Sequence, residues 1–282
     1  MTRIAVYGLG TMGLPMARNL VTAGYDVVGH DLDPARVHEL PGAADVAPVE
    51  IAIASLPSAA AVEEVARTLP GTGVEVFVDM STSPPALSRR LADELAAAGI
   101  ASLDAPVSGG PRGAESATLS IFVGGRTETF AQVEPVLRAL GSVVAHVGGH
   151  GAGQVVKLCN NLMAGANMAA VAEACAVAAR EGLDAKLFYE LVTHSTGDSR
   201  VLRTRYPLPG ADDLHPANND FEAMFMVDLI VKDLALACEL AEQAGVDPAM
   251  ARSALADYRA AQRDGHGRLD YSAVYLSKAA EA

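Results

Sequence analysis

Through its first 150 residues the chain alternates short runs of strand-forming residues with helical stretches, and near residue 153 the alternation stops. Strands are expected over residues 4–7, 25–29, 51–56, 75–78, 101–103, 119–123 and 143–146. Helix starts are marked between them by Asp33-Pro34, by Ser58 and by Ser83-Pro84, each a capping side chain, two with proline following. Strands separated by helices imply βαβ units and a mostly parallel sheet. From Val155 to about Arg180 there is no proline and one glycine, and alanine dominates. One long helix is predicted there. All that follows also reads as helical except residues 195–222. The expected architecture is an α/β domain over residues 1–152, then an all-α domain over residues 153–282, joined by that helix.

The first strand runs into Gly8-Leu9-Gly10-Thr11-Met12-Gly13, a G-x-G-x-x-G that opens a helix with apolar spacing at Met12, Met16, Leu20 and Val21. Gly8 permits the tight turn, Gly10 lets the backbone approach a pyrophosphate, and Gly13 lets helix pack closely on strand. The helix start then supplies amide donors and a favourable dipole for phosphates. Asp31 ends the second strand about 20 residues on, where an acid accepts hydrogen bonds from an adenosine ribose. In this context the motif predicts a Rossmann-type dinucleotide-binding domain. Asp31 also repels a ribose 2′-phosphate, and Leu32 offers no arginine to receive one, so NAD is expected rather than NADP.

Two further segments carry chemistry. Residues 104–114, Asp-Ala-Pro-Val-Ser-Gly-Gly-Pro-Arg-Gly-Ala, follow a strand at the sheet edge where open α/β sheets bind ligands. Backbone N–H groups around Ser108, Gly109 and Gly110 suit a nest for a carboxylate, or the run is a glycine-rich connector. Arg112 reads as an anion partner or as a solvated loop arginine. Residues 151–161 open the long helix and place Lys157 and Asn161 four apart, on one face. A cation in a first helical turn opposes the helix dipole. The pair acts on a bound molecule, or Lys157 is a solvated surface lysine.

Composition removes several classes. The formal charge of −13 and a pI near 4.9 disfavour nucleic acid and anionic membrane surfaces, which need clustered Lys and Arg. A small anionic substrate needs only a local positive site. Cys159, Cys175 and Cys238 are odd in number, lack C-x-x-C spacing and sit in apolar helical contexts, so buried free thiols in a reducing compartment are expected. No apolar run reaches the roughly 18 residues of a membrane span. The start leads straight into a strand, so no signal peptide is expected. His146 and His150 are separated by glycines, which gives no metal-ligand geometry, and no metal site is expected. A soluble cytoplasmic protein is expected.

Together, and in this order, these segments resemble the β-hydroxyacid dehydrogenase family. The likeness spans essentially the whole chain. It rests on residues 8–13, 104–110 and 151–161, and on Phe225 followed by Leu229, Lys232, Asp233 and Leu234. The resemblance implies that Ser108, Gly109 and Gly110 hold a substrate carboxylate, that Lys157 is catalytic and that Asn161 orients the substrate. It also implies that Leu56, Pro57, Thr82 and Lys232 touch the cofactor; Lys232 otherwise reads as an ordinary surface lysine. Residues 206–210 and 216–219 look like the 3-hydroxyisobutyrate dehydrogenase branch. That branch often carries a tryptophan near the loop Ser195-Thr-Gly-Asp-Ser-Arg200, whereas this chain has none. The pocket wall is therefore altered.

The chemistry so implied moves a hydride from a hydroxyl-bearing carbon to the nicotinamide and a proton to a base. A lysine at its ordinary pKa of about 10.4 is a poor base at neutral pH, and burial must supply most of the change. Lys157 is expected to accept the proton in oxidation and return it in reduction, or to act electrostatically while water takes the proton. The expected substrate is 3-hydroxyisobutyrate, oxidised to methylmalonate semialdehyde in valine breakdown. L-serine, 3-hydroxypropionate and glycerate/tartronate semialdehyde are alternatives, since one methyl changes discrimination by only about 1–3 kcal/mol. Imine reductases share the fold but usually replace the lysine. A 6-phosphogluconate dehydrogenase-like enzyme needs a cationic phosphate cluster, which is not evident here. A non-catalytic dinucleotide-binding module has no use for the Lys157–Asn161 pair. The alanine-rich helical domain suggests self-association as a homodimer or homotetramer.

Overall fold

In the computed structural model, residues 2–40 and 48–280 are described. Two compact units divide the chain, Met1–Lys157 and Leu158–Ala282. The first is built on an eight-stranded sheet: β1 Arg3–Tyr7, β2 Asp26–His30, β3 Ile51–Ala54, β4 Val76–Asp79, β5 Ala101–Asp104, β6 Val107–Ser108, β7 Ser120–Gly125 and β8 Val143–Gly148. Their order is β2-β1-β3-β4-β5-β7-β6, with β8 paired to β7. The first five are mutually parallel, and β7 runs antiparallel to both β5 and β6. The link from β5 to β7 holds the two-residue β6 and the six-residue helix Gly110–Glu115.

Alternation along the central strands sends side chains into two separate cores. Ile51 and Ile53 of β3 join Val76 and Val78 of β4 on one face, packed with Met16, Ala17 and Leu20 of the helix Gly13–Thr22. Ala52, Ala54 and Phe77 face the other way, onto Val62, Leu69, Leu91 and Leu95. Both faces are covered, so these strands read as continuous apolar runs rather than as alternating ones.

Capping follows the sequence at two of three places. Asp33 accepts from the Ala35 amide at 3.0 Å, and Ser58 from the Ala61 amide at 3.2 Å. Ser83 does not cap. The helix Pro85–Ala97 starts behind Pro84, while the Ser83 hydroxyl donates to Asp79 Oδ2 at 3.1 Å.

The long helix runs Ala152–Arg180. Its bounds correct two expectations. Lys157 is the sixth helical residue and lies in the second turn, beyond most of the dipole's reach. The helix is also long and apolar enough to cross a membrane by length and mean hydropathy, because alanine counts as apolar. Met168, Ala169 and Ala172 of this helix enter the core of the second unit with Ile230, Leu234 and Tyr258. Cys159 on it is exposed, against expectation, because its side of the turn faces away from that core; Cys175 and Cys238 are buried.

Within the second unit the segment expected to be irregular contains a helix, Arg200–Arg205, capped by the Ser199 hydroxyl. Asp270 gathers the neighbouring loops. Its fully buried carboxylate accepts from the amides of Phe225 and Ser272, each at 3.1 Å, and from the Ser272 hydroxyl at 2.7 Å, with Arg205 Nε at 3.5 Å.

Candidate active site

The strand order reverses direction between β1 and β3, and in open parallel sheets the crevice at such a point takes the ligand. Both turns at this point are built tightly. Gly8 has φ +90°, and a Cβ there would lie 2.3 Å from the Ser55 carbonyl oxygen. A Cβ on Gly13 would lie 1.8 Å from the Gly8 oxygen, so helix and strand touch through bare backbone. Above Gly10 the space is open apart from one guanidinium nitrogen of Arg36 at 3.3 Å. Leu9 is buried, Met12 half-buried and Thr11 exposed. The turn thus has the closed base and open outer edge that a pyrophosphate requires.

Asp31 braces this turn. Its Oδ2 accepts from the Leu9 amide at 2.7 Å and its Oδ1 from the Asp33 amide at 2.9 Å. Burial pulls its pKa upward, but those amides and the Arg36 charge outweigh it and hold the carboxyl below its ordinary value. It stays ionised where a ribose hydroxyl would seek an acceptor.

The ends of β3, β4 and β5 are tied into one network. The Leu56 amide donates to Ser81 Oγ at 2.9 Å, and the Ser81 amide to Asp79 Oδ1 at 2.9 Å. Half-buried Thr82 sits between Ser81 and Ser83. Gln154, fully buried in the long helix, spans that tripeptide. Its Oε1 accepts from the Ser83 amide at 3.0 Å and its Nε2 donates to the Ser81 carbonyl at 2.9 Å. Asp104 anchors the same helix, accepting from the Gly151 amide at 2.7 Å and the Gln154 amide at 3.0 Å. Gly153 is required by this arrangement, since a Cβ there would sit 2.2 Å from the Phe122 oxygen.

Two buried acids therefore stand at adjacent strand ends. Burial pushes Asp79 up to about 6, opposed by hydrogen bonds from Ser81 and Ser83 and reinforced by the charge of Asp104. Burial also raises Asp104, partly offset by the Gly151 and Gln154 amides.

At the edge of the same unit, Ser108 ends β6. Gly109 (φ +140°) and Gly110 (φ +64°) turn the chain into the helix Gly110–Glu115. Both dihedrals lie where L side chains are strained. Arg112 is exposed, and among the described residues no cluster of three or more His, Cys, Asp or Glu could hold a metal.

The long helix carries Lys157, 8% exposed, and Asn161, 4% exposed, one turn apart. Asn161 is held firmly. Its Nδ2 donates to Asp233 Oδ2 at 2.6 Å and its Oδ1 accepts from Asn160 Nδ2 at 3.0 Å. Asp233 is 2% exposed on the helix Val227–Gln243, and Lys232 Nζ lies 3.3 Å from its Oδ1. A Cβ on Gly165 would lie 3.0 Å from the Leu234 methyls, so the two helices approach closely there.

The chain's relatives carry the same organisation. Residues 3–148 match the NAD binding domain of 6-phosphogluconate dehydrogenase, and residues 151–277 match a domain described as NAD-binding of NADP-dependent 3-hydroxyisobutyrate dehydrogenase. A 3-hydroxyisobutyrate dehydrogenase of Pseudomonas aeruginosa is 40% identical over 97% of each chain. The chain belongs to the β-hydroxyacid dehydrogenase family. It is an NAD(P)-dependent oxidoreductase of that family, with a Rossmann domain followed by a helical domain. The NAD-dependent L-serine dehydrogenase of the same organism is 36% identical, again over 97% of each chain. A solved 3-hydroxyisobutyrate dehydrogenase of Mycobacterium tuberculosis, with L-serine, superposes with a TM-score of 0.89 at 35% identity and covers 99% of each chain.

Asp79 as scaffolding and Arg36 beside Asp31 lay beyond sequence reasoning, while Asp104 and Gln154 entered within motifs but without their roles as anchor and clasp of the long helix. Asp233 entered only as part of a motif, without its role as partner to Asn161. One signal was available for Asp233, an acid at the buried spacing of Val227, Ile230, Leu234 and Ala237.

Proposed function

We propose that this chain oxidises 3-hydroxyisobutyrate to methylmalonate semialdehyde with NAD. The observation that carries the reading is a buried lysine, Lys157, one helical turn from a buried amide that Asp233 holds in orientation. Bound NAD supplies the hydride acceptor. Lys157 Nζ takes the hydroxyl proton as the carbon gives up its hydride, and returns a proton to the oxygen in the reverse direction. Asn161 holds the substrate, and Ser108 with the Gly109 and Gly110 amides takes its carboxylate. The glycine turn, Leu56, Pro57, Thr82 and Lys232 contact the dinucleotide. Ionised Asp31 favours the ribose hydroxyls over a 2′-phosphate, which supports NAD. We place the enzyme in the cytoplasm, in valine breakdown, as a homodimer or homotetramer.

L-serine is the second reading. The similar identity to an L-serine dehydrogenase supports it, as does the absence of tryptophan from the chain and so from residues 195–200. NADH formation across 3-hydroxyisobutyrate, 3-hydroxypropionate, L-serine and glycerate, with NAD and NADP in parallel, tests the proposal. Highest kcat/KM for 3-hydroxyisobutyrate with NAD is expected. A higher value for L-serine moves the substrate, and no turnover on any acid refutes the reading.

A further inference from the structure

Asp79 and Asp104 end neighbouring parallel strands and are partners in register, so their side chains leave the sheet on the same face. Neighbouring strands lie about 4.8 Å apart, which sets the two buried carboxyls side by side. As carboxylates they repel. The helix Pro85–Ala97 packs on that face through Leu87, Leu91 and Leu95. Between helix and strands lies a small cavity, walled by Phe77 and Leu91 and bordered by Asp79, Ser88, Ser102 and Asp104. Its room is about that of one water molecule. Ser88 borders it from the helix, buried, and its Oγ has no hydrogen-bond partner among the described residues. A helical serine can turn its hydroxyl to the carbonyl four residues back. Ser88 does not, and its hydroxyl is a buried donor beside two acids.

The donors and acceptors select the occupant. A carboxylate has about four lone-pair sites, and the amides and hydroxyl bonded to Asp79 and Asp104 leave sites open on both. The cavity therefore presents two acceptors and one donor. Water brings the complement, two donors and an acceptor, and a buried water typically makes about three hydrogen bonds.

We propose that this cavity is a binding site for one structural water molecule, which donates to Asp79 and to Asp104 and accepts from the Ser88 hydroxyl. The water joins β4, β5 and the helix Pro85–Ala97 through the two acids that also hold Ser81, Ser83 and the start of the long helix. It separates two like charges that would otherwise face each other in the interior.

Ser88→Ala tests the site. A hydroxyl merely buried without a partner is a liability, and alanine is the better helix former, so on that account the variant would be as stable as wild type or more so. A hydroxyl bonded to the water contributes one hydrogen bond. Its removal is then expected to raise the unfolding equilibrium constant about two- to fivefold in urea titrations. Stability equal to or above wild type overturns the proposal. A crystal structure of the wild type gives the second reading, with density for one water expected within about 3.2 Å of Asp79, Asp104 and Ser88 Oγ. A dry cavity, or a peak at about 2.0–2.6 Å from the carboxylates, the distance of a bound cation, overturns it equally.

Discussion

At Lys157 the fold holds an amine side chain at 8% exposure, and at Asp79 a carboxyl at 5%. Each gives a prediction that belongs to one residue. Lys157→Ala removes the proton acceptor we propose and leaves the glycine turn untouched. Turnover is expected to fall roughly 10²–10⁴-fold while NADH affinity stays within a few-fold of wild type; near-normal turnover in stopped assays would remove Lys157 from the mechanism. Asp79 works on stability. Its pKa rises from 3.8 to about 6 on folding. A carboxyl raised in this way stabilises the fold fully below pH 3.8, and the contribution is lost as pH rises through about 6. Asp79→Asn carries no such loss. The stability of the variant relative to wild type should rise by about 1 kcal/mol between pH 5 and pH 8. Urea midpoints at both pH values check it, and a pH-independent difference would contradict it.

Among elements, the long helix is held at its start by contacts that no helix propensity supplies. Asp104 caps it from β5, and Gln154 clasps the loop after β4 on both sides of Thr82. The second turn, with Lys157, is thereby set against strand ends that are themselves cross-bonded. Gln154→Met keeps the volume and removes both hydrogen bonds. It leaves the Ser83 amide and the Ser81 carbonyl buried without that partner, a cost of about 2–5 kcal/mol in total. We expect a lower Tm and a kcat reduced more than NADH affinity, with faster hydrogen exchange at the Ser83 amide. Unchanged exchange at Ser83 would show that the clasp is not maintained in solution.

For the molecule as a whole, net charge and surface pull in opposite directions. A charge of −13 opposes association at low salt, yet the helical unit exposes Leu183, Leu187 and Leu191 at 54, 52 and 60%. Their spacing of four places the last two along one stripe of the helix Ala185–Thr193. A homodimer or homotetramer covers this stripe in our reading. Sedimentation equilibrium is expected to give a multiple of the 29.1 kDa chain, and Leu187→Asp/Leu191→Asp to weaken the assembly. A monomer at micromolar concentration in the wild type would refute it.

What could be read along the chain was whatever repeats or turns locally. Strand and helix periods, the caps at Asp33 and Ser58, and the glycines at 8 and 13 depend on neighbours a few residues away, and the linear order preserves those relations. They gave the α/β fold and the dinucleotide turn, and with the later motifs they gave the family. Ser83 does not cap, Cys159 is exposed and Lys157 lies in the second turn, against expectation, because each depends on packing that a one-dimensional pattern does not carry. The pairings that build the site join residues far apart in the chain. Asp104 meets the helix start across 47 and 50 positions, Ser83 meets Gln154 across 71, and Asn161 meets Asp233 across 72. Only folding creates the low-dielectric interior in which an unpartnered carboxyl or amide is too costly to leave, and that cost selects these partners.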